Sequence, residues 1–192
     1  MENLDNTELQ TIKSCQEGNM ESFVLLYDAY AEKIFRFVYF RTMHKQHAED
    51  VTSQVFMRAM DKLHLFAPDK GTFQAWLYQI ARNLVIDVHR KTKPTENLDA
   101  HFNLADSTDL ETETENKLTS EKLQKLIATL PEESQELITM RLWDELSYAE
   151  IASVTGKTEG SLKMQFSRII SKLQEQAHLL ATLLILIGNY VY

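Results

Sequence analysis

Residues 146–173 read LSYAEIASVTGKTEGSLKMQFSRIISKL, and the spacing within them predicts two helices joined by a tight turn. Ser147 with Glu150 three residues on is a capping-box signature that starts the first helix. Thr155-Gly156-Lys157 ends it, because Gly156 takes a positive φ at little cost, and Thr158 is placed to cap a second helix. In that helix Leu162, Phe166, Ile169 and Leu173 fall at i, i+4, i+7 and i+11 and make one apolar face, while Glu159, Lys163, Gln165, Ser167 and Arg168 lie opposite. This is the layout of a helix-turn-helix, whose second helix enters the DNA major groove. An ordinary helical hairpin shows the same spacing, so the pattern alone leaves both readings open.

Upstream of this stretch, Pro131 sits at a favourable first-turn position for a helix over 132–143, and Leu118, Leu123, Leu126, Ile127 and Leu130 place another over 117–130. These four short helices make a second small domain, 117–176. Before it, PTENLDAHFNLADSTDLETETEN (94–116) contains Glu96, Asp99, Asp106, Asp109, Glu111, Glu113 and Glu115 and no Lys or Arg. Such a segment cannot bury enough surface to offset its ordering entropy, and it reads as a flexible acidic linker.

The first domain, 1–93, carries four helix signals. Leu9 and Ile12 mark one over 7–16. Phe23, Leu26, Tyr27, Tyr30, Ile34, Phe37 and Val38 mark the core face of a long one from about 21 to 43. A third, from about 47 to 63, turns Val51, Val55, Phe56, Ala59 and Leu63 inward and Glu49, Asp50, Ser53, Gln54 and Arg58 outward. After the Pro/Gly-punctuated loop 66–71 comes a fourth over 72–93, with Phe73, Trp76, Leu77, Ile80, Leu84 and Val88 on its buried face and Tyr78 and Gln79 near a basic surface.

Charge and composition narrow the function classes. Scarce Gly and Pro favour an all-α chain. The net charge of −8 argues against autonomous nucleic-acid binding. Its distribution changes that reading: residues 1–93 hold twelve acids and twelve bases, and 117–192 hold nine and eight, so nearly all the excess lies in the linker. A DNA reader of this charge borrows affinity from a partner. One cysteine, Cys15, excludes an intramolecular disulfide framework, and the polar N-terminus MENLDNTELQ has no signal-peptide pattern, which together predict a cytoplasmic protein. There is no phosphate-binding glycine loop, HExxH or triad-like order, so no catalytic residue, cofactor or small-molecule substrate is expected. His44 and His47 share a helix face, but no carboxylate pattern completes a metal site. The final stretch, 177–192, is an apolar tail containing HLLATLLILIGNYVY; it falls short of the ~20 residues of a membrane span and reads as a core or docking helix.

Taken together, CQEGNMESFVLLYDAYAEKIFRFVY, AEDVTSQVFMRAMDKL and GTFQAWLYQIARNLVIDVHRK, followed by LPEESQELITMRLWDELSYAEIASVTGKTEGSLKMQFSRIISKL, resemble the bacterial extracytoplasmic-function (group IV) sigma factors. These are specificity subunits of RNA polymerase. The resemblance spans 15–93 and 130–173. It implies an all-α fold of two small helical domains on a flexible acidic linker, the C-terminal one a helix-turn-helix, winged-helix-like, of the sigma domain four type. It implies that Glu49, Asp50, Ser53, Gln54 and Arg58 dock on core RNA polymerase; the family often has Gln-Glu where this chain has Ser53-Gln54. It implies that Trp76, Arg82, Asn83, Asp87 and Arg90 engage the −10 promoter element and that Lys70, Gly71, Thr72 and Phe73 belong to a loop that captures a flipped base, with Asp69 beside them. The −35 element falls to Thr158, Glu159, Ser161, Lys163, Gln165, Arg168 and Lys172. Where the family reads Val-Lys-Ser-Arg-Leu this chain reads Leu162-Lys163-Met164-Gln165-Phe166, with Gln165 and Ile170 at customary basic positions. Gln165 is then expected to pair bidentately with adenine. The resemblance further implies an anti-sigma protein partner, through which alone any membrane contact would come, and an acidic linker that follows the polymerase RNA path. The competing reading is a helix-turn-helix regulator that acts without being a polymerase subunit.

Overall fold

The protein, seen in a computed structural model, is described over the backbone of residues 2–91, 127 and 129–175, and over the side chains of 7–88, 127 and 129–174. The linker 94–116, most of the helix expected over 117–130, the Arg90 side chain and the tail 177–192 lie outside the described residues. The chain divides into two compact units, Met1–Leu130 and Pro131–Tyr192. Among the described residues every regular element is helical, and none is long and apolar enough to cross a membrane.

In the first unit α1 (Glu2–Gln16), α2 (Phe23–Thr42), α3 (Lys45–Lys62) and α4 (Phe73–Lys91) pack around an aromatic core. Ile34, Phe37, Val38, Val55, Ala59, Leu77, Tyr78 and Ala81 are sealed from solvent. The rings interlock edge to face, as aromatic quadrupoles prefer: Phe37 against Tyr78 at 5.0 Å and Phe23 against Phe56 at 6.4 Å between centroids. Two polar ties fasten α1. Tyr30 donates its hydroxyl to Glu8, and Gln16 Nε2 donates to the carbonyls of Leu63 (2.9 Å) and Phe66 (3.0 Å), fixing the turn that leads out of α3.

Three details depart from expectation. α1 starts at Glu2 and α3 at Lys45, both earlier than the apolar pattern suggests. Here His44 Nδ1 accepts the His47 N–H at 3.3 Å, so the histidine pair caps α3, its rings stacked at 4.2 Å. Tyr27, expected in the core, is 44 % exposed and lays its ring against Phe56 at 4.8 Å. The buried face of α4 is rotated from the expected one: Ala75, Tyr78, Ala81 and Val85 are buried, and Trp76, Ile80 and Val88 are only half-buried. Tyr78 therefore belongs to the core and not to a basic surface. Small alanines on one side let α4 approach its neighbours there, which turns Tyr78 inward and Trp76 toward the rim.

The second unit is built from α5 (Glu132–Ile138), a wider π turn over Thr139–Trp143, α6 (Tyr148–Thr155) and α7 (Glu159–Glu175). The helix expected to run regularly to Trp143 instead loosens after Ile138, with Asp144 N–H reaching back to the Thr139 carbonyl. Glu145 then takes a left-handed backbone (φ 60°) and Leu146 turns into the core. From Ser147 onward the local signals hold. Ser147 and Glu150 form the reciprocal capping box, Gly156 ends α6 at φ 74°, and Thr158 Oγ1 accepts the Ser161 N–H to start α7. Leu137, Ile138, Met140, Ile151, Val154, Leu162, Ile169 and Leu173 close the core.

Candidate nucleic-acid interfaces

α3 buries Ala48, Val51, Thr52, Val55, Phe56 and Ala59, and this leaves Glu49, Asp50, Ser53, Gln54 and Arg58 together on its exposed side. Ser53 Oγ donates to the Glu49 carbonyl (3.0 Å), and Lys45 pairs with Glu49 at 3.8 Å in full solvent, a contact worth at most about 1 kcal/mol. Met57, 57 % exposed, sits in the middle of this face. The sequence reading passed over it, although Met57 lies three residues beyond Gln54 on the same helix side. The face is thus acidic at its start, apolar in its middle and basic at Arg58.

A turn over Pro68–Lys70 leads into α4. Gly71 adopts φ 145°, a region closed to most side chains, and its Cβ position is open. Lys70, Gly71 and Thr72 are exposed, and Thr72 Oγ1 accepts the Ala75 N–H at 3.3 Å, so this threonine also caps α4. Phe73 is different. It is 1 % exposed and enclosed by Tyr30, Phe66 and Trp76, with centroids 5.5–5.7 Å apart. It forms the floor of the loop and offers no face on which a base could stack, because the first turn of α4 points it inward. Trp76 is the aromatic at the rim. From it runs a ridge of exposed Gln79, Asn83 and Asp87 at i, i+4 and i+8, flanked by half-buried Arg82.

On α7, Glu159, Ser161, Lys163, Arg168 and Lys172 are exposed. Lys163 pairs with Glu159 at 3.4 Å and lies over the Tyr148 ring at 5.6 Å, which Arg141 also approaches at 5.0 Å. Gln165 departs from the free reader expected. It is half-buried on the flank of α7, and its Oε1 accepts from Lys157 Nζ at 3.3 Å. Lys157 at the same time contacts Glu133 Oε2 at 2.6 Å. A lysine only donates, so the amide oxygen must be the atom facing it. Bidentate pairing with adenine uses that same oxygen, so a base would share it with the Lys157 ammonium. Met164, 54 % exposed, is the side chain that stands out instead.

Among the described residues, displaced titration is found in the core, where burial pushes the Cys15 thiol and the Tyr39 phenol up. Among the described residues no three His, Cys, Asp or Glu side chains converge as a metal site would require.

Comparison with known proteins fits both units. The family model of Sigma-70 region 2 matches residues 26–95, and that of Sigma-70 region 4 matches residues 120–173. The chain is 34 % identical over 159 residues to the ECF RNA polymerase sigma factor BldN of Streptomyces coelicolor, covering 81 % of this chain but 60 % of that relative's length. It is 30 % identical over 176 residues to the ECF RNA polymerase sigma factor SigW of Bacillus subtilis, covering 86 % of this chain and 94 % of SigW. In fold it is similar to the sigma factor RpoE of Bartonella quintana, solved in complex with the anti-sigma factor NepR. That match has a TM-score of 0.68 and 20 % identity over 83 % of this chain and 98 % of the other.

Proposed function

The chain belongs to the extracytoplasmic-function sigma factors of RNA polymerase, and from that membership we propose that it binds core polymerase and directs it to specific promoters. The observation that carries this is the ordered pair of family matches, region 2 over 26–95 and region 4 over 120–173. A regulator that works without polymerase accounts for the second match and leaves the first without a role.

Within this reading the exposed side of α3, with Glu49, Asp50, Ser53, Gln54, Met57 and Arg58, docks on the polymerase. The loop Lys70-Gly71-Thr72 and the ridge of Trp76, Asn83 and Asp87, with Arg82 and Arg90, meet the −10 element. Phe73 supports that loop from beneath. α7 enters the major groove at the −35 element with Thr158, Glu159, Ser161, Lys163, Arg168 and Lys172, and Gln165 stands at its edge. Phosphate contacts are few, so salt-dependent DNA affinity is modest and polymerase supplies the remainder. The polymerase performs the chemistry, and this chain supplies the address, acting in the cytoplasm where both are found. An anti-sigma protein, of the kind bound to RpoE of Bartonella quintana, is a further partner in this proposal.

The test is reconstitution with core polymerase on a promoter library. Promoter-dependent transcripts are expected with the chain and not without it; absence of any polymerase complex refutes the reading. Asp50→Lys is expected to weaken core binding by at least about tenfold, because it reverses charge at the acidic start of the face. Its melting temperature should stay within about 2 °C, as for an exposed substitution.

A further inference from the structure

The exposed face of α7 is lined by small residues, Gly160, Ser161, Ser167 and Ser171, and Met164 rises from the middle of them. It is the one large apolar side chain exposed by a third or more among the described residues of Pro131–Tyr192. No Cβ would meet anything within 4 Å at Gly160, so the space beside Met164 is open. Arg168, one turn on, places Nη2 3.5 Å from the Met164 sulfur, so the two side chains stand together on the exposed face. Gln165, the other candidate for base reading, is half-buried and shares its amide oxygen with Lys157.

We propose that Met164 reads the C5-methyl group of a thymine in the −35 element, with Arg168 donating to a guanine within about two base-pair steps of it. This rests on α7 being the helix that enters the major groove. The chemistry is selective. Of all the groups on the major-groove edges of the four base pairs, the thymine methyl is the apolar one that a methionine tip packs against, and the thioether is only a weak acceptor toward the base amines. Guanine presents two acceptors, O6 and N7, that match the arginine fork. Four residues of helix rise by about 6 Å, so side chains at 164 and 168 fall on bases one to two steps of ~3.4 Å apart. The site therefore takes duplex DNA carrying a thymine one or two base-pair steps from a guanine.

The experiment uses the full chain assembled with core polymerase and a promoter taken from the library above. Each −35 thymine is replaced singly by deoxyuridine, which removes the methyl and leaves every hydrogen-bonding group. At one position deoxyuridine should lower initiation by about fourfold, the worth of one CH₂-sized apolar group. Met164→Ala should abolish that penalty, and Met164→Leu, which keeps an apolar tip, should retain most of it. Indifference of the wild-type protein to deoxyuridine at every position overturns the assignment, as does an equal penalty in Met164→Ala. If scrambling the whole −35 element leaves wild-type initiation unchanged, then α7 is not the reader and this inference falls with that reading. Dependence on the element without dependence on the methyl removes Met164 alone.

Discussion

Among the described residues of Met1–Leu130, helices of 18 to 20 residues bury interlocking rings, whereas among those of Pro131–Tyr192 helices of 7 and 8 residues precede a single long one. The first unit gains its shape from area: Phe37, Phe73 and Tyr78 are each within 1 % of complete burial. The second places its turns by local hydrogen bonds. These are the capping box at Ser147, the left-handed Gly156, the Thr158 cap and the Lys157 contacts to Glu133 and Gln165. Isolated helices of 7 or 8 residues do not persist in water, so caps and packing must act together there.

Each unit holds one of the two tryptophans, Trp76 and Trp143, so each can be followed alone once the other is replaced by phenylalanine. The largest effect is expected from Phe37→Ala, which deletes a ring with no exposed area and should destabilise the first unit by about 3–5 kcal/mol. Urea unfolding followed by Trp76 measures this, and a loss below about 1 kcal/mol would break the contrast drawn here. Next comes Cys15, buried, with its thiol pushed up by burial and so protonated at neutral pH. Alkylation by iodoacetamide at pH 8 should run at least about tenfold slower in the native chain than in urea, because the thiolate is the reactive form. Equal rates would mean that the end of α1 opens freely.

Ser147→Ala removes one half of the capping box and should cost the second unit about 1 kcal/mol, read from Trp143, with Ser147→Asp restoring most of it. The smallest effect belongs to Lys157→Met. Its side chain is 30 % exposed and its partner Glu133 is 68 % exposed, so screening holds the loss of stability to about 1 kcal/mol or less. Its sharper readout is base preference: with Oε1 released, Gln165 regains the bidentate pairing that favours adenine at its position, detectable as a shift in the promoter library.

Local signals carried much of this in the sequence. The capping box, the glycine turn and the period of α3 depend on residues within a few positions of one another, and the structure has them where the spacing placed them. Site residues on α3 share a face for the same reason. The placements that periodicity did not give lie on α4 and α7. Trp76 is larger and Tyr78 more polar, so periodicity alone turns the tryptophan inward, yet the alanines at 75 and 81 decide the contact and bury the tyrosine. Phe73 reads as core from the period of α4 and as part of a base-capturing loop from the family resemblance, and rings contributed by Tyr30 and Phe66 enclose it as the period implies. Gln165 looks free until Lys157, eight residues earlier, is seen to reach it.

The sequence by itself determined that the chain is helical and in two parts, where the helix-turn-helix lies, and which side of α3 is polar. Each follows from hydrophobic period, caps or composition, which are written within one or two helical turns. Tertiary structure alone decided which way α4 faces, that α5 ends in a π turn and that Met43 and Glu145 take left-handed backbones without glycine. It also decided that Met164 is exposed on α7 and Gln165 only half so. Those outcomes depend on what the neighbouring helices leave as space and as hydrogen-bond partners, and no local pattern encodes that.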